Sequence, residues 1–409
     1  MTKLPEDFIR ETRRLMGEER FNRYLEAFNE EPPTSIRLNR LYPSSVPCAK
    51  EDKVPWCEEG YYLEGRPQFT FDPLFHAGCY YVQEASSMFI SHVLRHLVKT
   101  PVNMLDLCAA PGGKSTAARS VLPEGSTLVS NEPIPTRAQI LLENITKWGW
   151  PDCTVTNNYP RDFRKATGRR RNVGNEAKAR FDVILCDVPC SGEGMFRKDP
   201  STIGEWSQQN VEKCWRLQRE IIADAWECLN PGGILIYSTC TFNTKENEEN
   251  VRWILDEYEA EPIPIPTQQE WHITGSLLEG FDAPVYRFIP GISRGEGLFV
   301  CAIRKGGTPS NHGPSPKILS KLKVLTTDLP QGEFPQAELS YTEALNYLRG
   351  EALVLPADTP RGLVTVTYRS IPLGPVKNIG NRANNLYPKP WRIKTTHLPS
   401  EITEIINIQ

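Results

Sequence analysis

From about residue 84 the chain alternates strand-like and helix-like segments for roughly two hundred residues, and this alternation restricts it to an α/β fold built on a parallel sheet. Val102 to Leu107, 126–130, 153–156, 181–186 and 233–238 read as strands. Ser86 to Val98, Lys114 to Val121, Thr136 to Trp148 and Gln209 to Leu229 read as helices. The last of these carries Val211, Trp215, Ile221, Ile222, Ala225 and Leu229, the spacing of one apolar face. A further helix is predicted near 246–257, and strands at 285–289 and 297–303 predict an antiparallel hairpin at one edge of the sheet.

Other units flank this region. A charged helical segment runs to about Asn29 with apolar residues at Phe8, Leu15, Phe21, Leu25 and Phe28, and a Pro- and Trp-containing stretch follows over 31–80. Residues 305–317 (KGGTPSNHGPSPK) are broken by glycine and proline and read as a linker. Beyond them lie about ninety residues with a helix from Thr342 to Arg349 and strands at 352–355 and 363–368. The expected organisation is therefore an N-terminal helical and α+β region over 1–83, a central α/β domain over 84–304, a linker over 305–317 and a small β-rich domain over 318–409.

No apolar run reaches membrane-spanning length, and the first residues lack the apolar core of a signal peptide, so a cytoplasmic location without a membrane partner is expected. The eleven cysteines are odd in number, several sit in strand-like runs and no C-x-x-C occurs, which argues against a disulfide framework or a zinc site. His92 and His96 lie four apart on a helix, but no glutamate follows His92 as a zinc-protease motif requires, and they read as a helix face. No metal is expected, and a chelator should leave any activity unchanged.

A net charge of −3 does not suggest a polyanion partner, but its distribution does. Residues 161–180 hold eight Lys and Arg against two acids, and residues 361–395 hold seven Lys and Arg and no acid. Such patches can neutralise phosphates on an acidic protein, although the first also reads simply as a solvated loop.

The first strand runs into LDLCAAPGGKST, beginning at Leu105. Glycines directly after a strand let the backbone approach a ligand, and the following helix start offers free N–H groups. A phosphate loop would need glycine at 108, where this chain has cysteine, and G-x-G-x-x-G is absent, so an amino-acid-bearing nucleoside suits the turn better than a phosphate. Glu132 stands twenty residues past Gly112 at the end of the second strand, where a nucleotide-binding sheet bonds ribose hydroxyls. Alone it would be only a polar strand end.

The fourth strand ends in CDVPCSGEG and the next core strand in YSTC, so Cys190 and Cys240 should face one cleft at the carboxyl edge of the sheet. Each thiol singly reads as structural; the pair beside a glycine turn fits covalent catalysis. C5 of cytosine is a weak nucleophile, and thiolate attack at C6 turns the ring into an enamine able to accept a methyl group at C5. Asp187 is placed to stabilise that electron-rich ring near N3; its bland alternative is a helix cap at the strand end.

LDLCAAPGGKST, DVPCSGEGMFRKDP, YSTCTFNTKENEENV and YVQEASSM together resemble the RNA 5-methylcytosine methyltransferase family, closest to the branch called the ribosomal small-subunit RNA methyltransferase F type. The likeness covers nearly the whole chain. It implies a Rossmann-like S-adenosylmethionine methyltransferase sheet with an N-terminal α+β RNA-binding region and a C-terminal PUA-like domain, the last carried by IPLGPVKNIGNRANNLYPKPWRIKT. It implies S-adenosylmethionine as cofactor, RNA (ribosomal RNA or the small subunit) as partner, and a monomer. By this resemblance Cys240 is the nucleophile and Cys190 helps to release the product. Cys108, Ala109, Ala110, Pro111, Gly112, Gly113, Lys114, Glu132 and Asp187 line the cofactor site, with Lys114 also near the reacting base. The family's acid after the third strand has no clear match; Asn158 or Asp162 is the candidate contact to adenine. The basic C-terminal stretch carries Tyr387 and Trp391, which suit base stacking or else form that domain's own core.

Three rivals follow from the same residues. DNA cytosine-C5 methyltransferases share a Pro-Cys motif, and Glu249-Asn250-Val251 matches their Glu-Asn-Val superficially, but here it falls after the Thr-Cys strand. A non-catalytic RNA-binding assembly factor would not require both cysteines, Asp187 and Lys114 to be present together. A methyltransferase acting on a small molecule would have no use for the basic C-terminal domain.

Overall fold

A computed structural model describes residues 4–47, 52–167, 181–308, 316–395, 399 and 402–408. Much of the basic stretch 161–180 and most of the linker therefore lie outside the described residues. The centre is a mixed sheet whose principal strands are β1 (Asn103–Asp106), β2 (Thr127–Asn131), β3 (Cys153–Thr156), β4 (Phe181–Asp187), β5 (Leu229–Thr239), β6 (Ala260–Ile263) and β7 (Leu298–Lys305). Their order is β6-β7-β5-β4-β1-β2-β3. The five strands from β5 to β3 are parallel, and β7 runs antiparallel to β5. Strand order reverses between β1 and β4, so their carboxyl ends open a crevice suited to a ligand. These strands are nearly continuous runs of buried residues, as a sheet covered on both faces demands.

The predicted edge hairpin forms between Tyr286–Phe288 and β7. Two further short strands were not expected. Ala260–Ile263 also pairs with β7; the stretch AEPIPIP that contains it is tolerated because a sheet edge leaves backbone N–H groups unused. Val324–Leu325 adds antiparallel to β3, and Ile318 and Leu322 are buried in the core on one side of the sheet. The segment directly after the linker thus belongs physically to the central sheet.

Helices Glu6–Met16 and Glu18–Glu26 lie over the loops at the carboxyl edge: Phe8, Phe21 and Tyr24 share a core with Phe196, Trp206 and Phe242. Thr34–Leu38 then pairs with Gly60–Leu63 and Tyr80–Val82. From that strand the buried Arg37 donates to Gln83 at 2.8 Å and to Thr116 at 2.6 Å, and it sits over the Trp148 ring. This locks the N-terminal region onto the helix Gly113–Val121.

The C-terminal domain is a four-stranded sheet of Gln336–Glu338, Gly362–Tyr368, Ile371–Asn378 and Ala383–Asn385 with one helix, Tyr341–Arg349. That helix starts on a capping box of Ser340 and Glu343 and stops at Gly350, whose φ of 88° favours glycine. The expected strand at 352–355 reduces to one isolated bridge from Leu353 to Ala383. The core of this domain is continuous with that of the N-terminal region: Leu345, Leu348, Val364 and Val376 are buried in one cluster with Ile36, Leu38, Leu74 and Tyr80. Residues Asn407–Ile408 even pair with Ser44–Ser45. Among the described residues, no helix is long and apolar enough to cross a membrane.

Candidate active site

The glycine turn after β1 is held from several sides. Arg137 donates to the Ala110 carbonyl at 3.0 Å, Asn144 to the Pro111 carbonyl at 2.8 Å and Asn131 to the Leu107 carbonyl at 3.0 Å. Gly112 has φ of 116°, a conformation that penalises any Cβ, and it starts a helix that no side chain caps. The first N–H groups of that helix remain available. Cys108 lies in this turn, and burial, then the charges of Asp106, Glu132 and Asp187, push its thiol well above the ordinary range, so it suits lining rather than chemistry.

Three carboxylates surround the turn. Glu132 is buried at the end of β2, with Oε1 accepting from the Ile134 amide at 3.0 Å and Oε2 lying 3.6 Å from Arg137. Asp106 accepts from Ser115 at 2.6 Å through Oδ2, while its buried Oδ1 has no protein partner. Asp187 accepts from Ser238 at 2.6 Å and from Lys114 at 2.8 Å. Open N–H groups at the helix start, with Glu132 and Asp187 beside them, fit a ligand that brings cationic and hydroxyl groups, as S-adenosylmethionine does. Asn158 and Asp162 are already bonded within the chain. The Asn158 amide is taken up on both atoms by the Lys323 backbone, at 3.0 and 3.1 Å, and Asp162 accepts from the Tyr159 amide. An expected adenine contact through either side chain is thus not prepared.

The two cysteines do come together. Adjacent strands β4 and β5 carry them past their ends, and Cys190 Sγ lies 3.1 Å from Cys240 Sγ, both thiols being free. The hydrogen bond to Cys240, then burial, push the Cys190 thiol well above the ordinary range. Burial alone would lower the pKa of Lys114, but neighbouring Asp187 and Cys240 outweigh it and raise the pKa, so the ammonium is retained beside the thiol pair.

Residues that the sequence reading passed over hold this pair. Glu193 accepts from the amides of Phe242 at 2.7 Å and Asn243 at 3.0 Å and from the Trp206 indole at 3.0 Å. Glu246 accepts from the Ser191 amide at 3.0 Å, Gln218 at 2.7 Å and Asn243 at 2.8 Å. The Gly194 amide donates to the Cys240 carbonyl at 2.8 Å, and a Cβ there would lie 2.5 Å from the Gly297 Cα, which explains the second glycine of SGEG. The signal for Glu193 was an acid bracketed by two glycines; Glu246 was hidden among the acids of KENEEN. Glu249-Asn250-Val251 falls on the helix Glu248–Glu257, and Asn250 is spent on Gln218, so the likeness to the DNA enzymes' motif is not one of position.

Burial, then the charge of Glu193, pushes the Glu246 carboxyl up to about 7. The folded state therefore binds this proton more tightly than the unfolded chain, and the stability this contributes is present below about pH 4.3 and lost as pH rises through about 7. Glu246→Gln should remove that loss, so wild type should fall relative to the variant by on the order of 3 kcal/mol between pH 4 and pH 8. Urea unfolding at both pH values measures it; parallel profiles for the two proteins would contradict the assignment.

Residues 97–304 match the family model described as 16S rRNA methyltransferase RsmB/F. Residues 4–85 match the N-terminal domain of 16S rRNA methyltransferase RsmF, and 334–393 the methyltransferase RsmF PUA domain. The chain is 34% identical over 266 residues to a ribosomal RNA small subunit methyltransferase F of Pectobacterium atrosepticum, covering 63% of this chain and 51% of the relative. It is 31% identical over 355 residues to the protein of that name in Serratia proteamaculans, covering 82% and 68%. It therefore spans about half the length of the first relative and about two thirds of the second. The crystal structure of a methyltransferase homologue from Pyrococcus horikoshii matches in fold, with a TM-score of 0.57 and 24% identity over 74% of this chain and 100% of that one.

Proposed function

Because the chain belongs to the RsmB/F family of 16S rRNA methyltransferases, we propose that it transfers a methyl group from S-adenosylmethionine to C5 of cytosine in RNA, with small-subunit ribosomal RNA as the substrate. The observation that carries this reading is the Cys190–Cys240 pair, 3.1 Å apart, beside the glycine turn and the Lys114–Asp187 pair. When bound, S-adenosylmethionine supplies the electrophilic methyl group that the activated ring carbon takes up. The turn Cys108 to Lys114, Glu132 and Asp187 would hold it.

The chain's own residues do the rest. Cys240, as thiolate, forms the bond to C6, and the electron pair displaced from the C5–C6 double bond makes C5 nucleophilic. Lys114 and Asp187 offer a cation and a carboxyl group to the ring as negative charge builds on it. After methylation, Cys190 takes the proton from C5; the electrons of that C–H bond restore the double bond and expel Cys240 as thiolate. Cys190 enters this step as thiolate, its own proton given to solvent; the hydrogen bond to Cys240 that holds the thiol up is gone once Cys240 is bonded to C6.

RNA would be held in part by the C-terminal domain, where Arg361, Lys377, Arg382, Lys389 and Lys394 are exposed. Tyr387 is not available for base stacking, since it is buried between that domain and Lys147. RNA labelled with tritium at C5 of cytosine tests the reaction: one tritium should be released for each methyl group incorporated. Methyl incorporation without tritium release would place the methyl group on another atom.

A further inference from the structure

The helix Gln208–Cys228 buries Ile221, Ile222 and Ala225 against the sheet and Val211 in the core under the N-terminal helices, and Gln218 lies fully buried between them. An amide in that position costs free energy unless every polar atom is bonded, whereas a leucine would pack without that cost. Both polar atoms of this one are bonded. Nε2 donates to the Pro189 carbonyl at 2.9 Å and to Glu246 at 2.7 Å, and Oε1 accepts from Asn250 at 2.8 Å. The Glu246 oxygen that Gln218 meets also accepts the Ser191 amide at 3.0 Å. The peptide groups on both sides of Cys190 are thereby tied, one directly and one through Glu246, to Gln218. Its other end reaches Tyr237, three residues before Cys240 on β5, through Asn250, whose Nδ2 also lies 3.1 Å from the Tyr237 hydroxyl.

We infer that Gln218 is a positioning residue for product release: it sets the Pro189–Cys190–Ser191 segment so that the Cys190 thiol faces Cys240. The inference rests on the proposed role of Cys190 in freeing the methylated base. Loss of the clamp leaves Cys240 able to attack and C5 able to be methylated, but displaces the group that takes the C5 proton. The enzyme should then stall as a covalent RNA complex instead of losing its first turnover.

The test compares wild type, Cys190→Ala, Gln218→Met and Gln218→Glu with small-subunit rRNA and S-adenosylmethionine. Thermal unfolding establishes which glutamine variants are folded, the second variant standing in should the first not fold. The first turnover should stay within about threefold of wild type, later turnovers should slow by about 10- to 100-fold, and a denaturation-resistant RNA–protein species should accumulate as in Cys190→Ala. First and later turnovers falling together without adduct would overturn the inference, and so would unchanged turnover. No adduct in Cys190→Ala itself would instead overturn the underlying role of Cys190, and the inference with it.

Discussion

Cys240→Ala is expected to lower methyl transfer to RNA by at least about 10⁴-fold, because a ring carbon that receives no thiolate at C6 has no other route to nucleophilic character. The effect should fall on chemistry alone. Cys240 is only partly buried at a strand end, while the core beneath it is made by Leu235, Tyr237, Phe299 and Cys301, so folding and cofactor affinity should be near wild type. Transfer of a tritiated methyl group to rRNA, with calorimetric cofactor binding on the same preparation, separates the two effects. Retention of a tenth of the activity would exclude Cys240 as the nucleophile.

Arg287→Ala is expected to destabilise the protein by about 3–5 kcal/mol, because it strands a buried carboxylate. Arg287 and Glu248 are both fully buried and meet through two parallel bonds of 2.7 Å. Glu248 sits in the first turn of its helix, where the macrodipole favours a negative charge, and also accepts the Leu277 amide at 2.8 Å. Replacing both residues by apolar ones of similar volume should cost much less than the single change, since no unpaired charge is then left. Denaturant unfolding of the singles and the double measures the coupling; a loss below 1 kcal/mol for Arg287→Ala would show the pair to be less desolvated than its burial indicates.

The parts of this molecule that were legible in the sequence are those with a strict local grammar. Buried strands alternate with amphipathic helices, a glycine turn follows β1, and thiols follow the ends of β4 and β5. What escaped depends on contacts between distant residues. Ile36, Leu38, Leu345 and Leu348 share one buried cluster, and nothing local in the sequence says that they face one another. For the same reason, deleting 318–409 would strip the N-terminal region of part of its core, and reversing the exposed charges at Lys377 and Arg382 probes RNA contact more cleanly. Gln218, Glu193 and Glu246 have the composition of surface residues and became recognisable only when their hydrogen bonds were seen. Asn158 looked available after β3 because the return of Lys323 across the linker could not be foreseen.

The most direct test of the account is a denaturing gel of small-subunit rRNA incubated with S-adenosylmethionine and wild type, Cys240→Ala or Cys190→Ala. A covalent species that persists with Cys190→Ala and is absent, together with methylation, from Cys240→Ala is the predicted result, and it would assign both thiols at once. An adduct formed by Cys240→Ala would reverse the two roles, and the absence of adduct and methylation from every protein would contradict the covalent mechanism on this RNA.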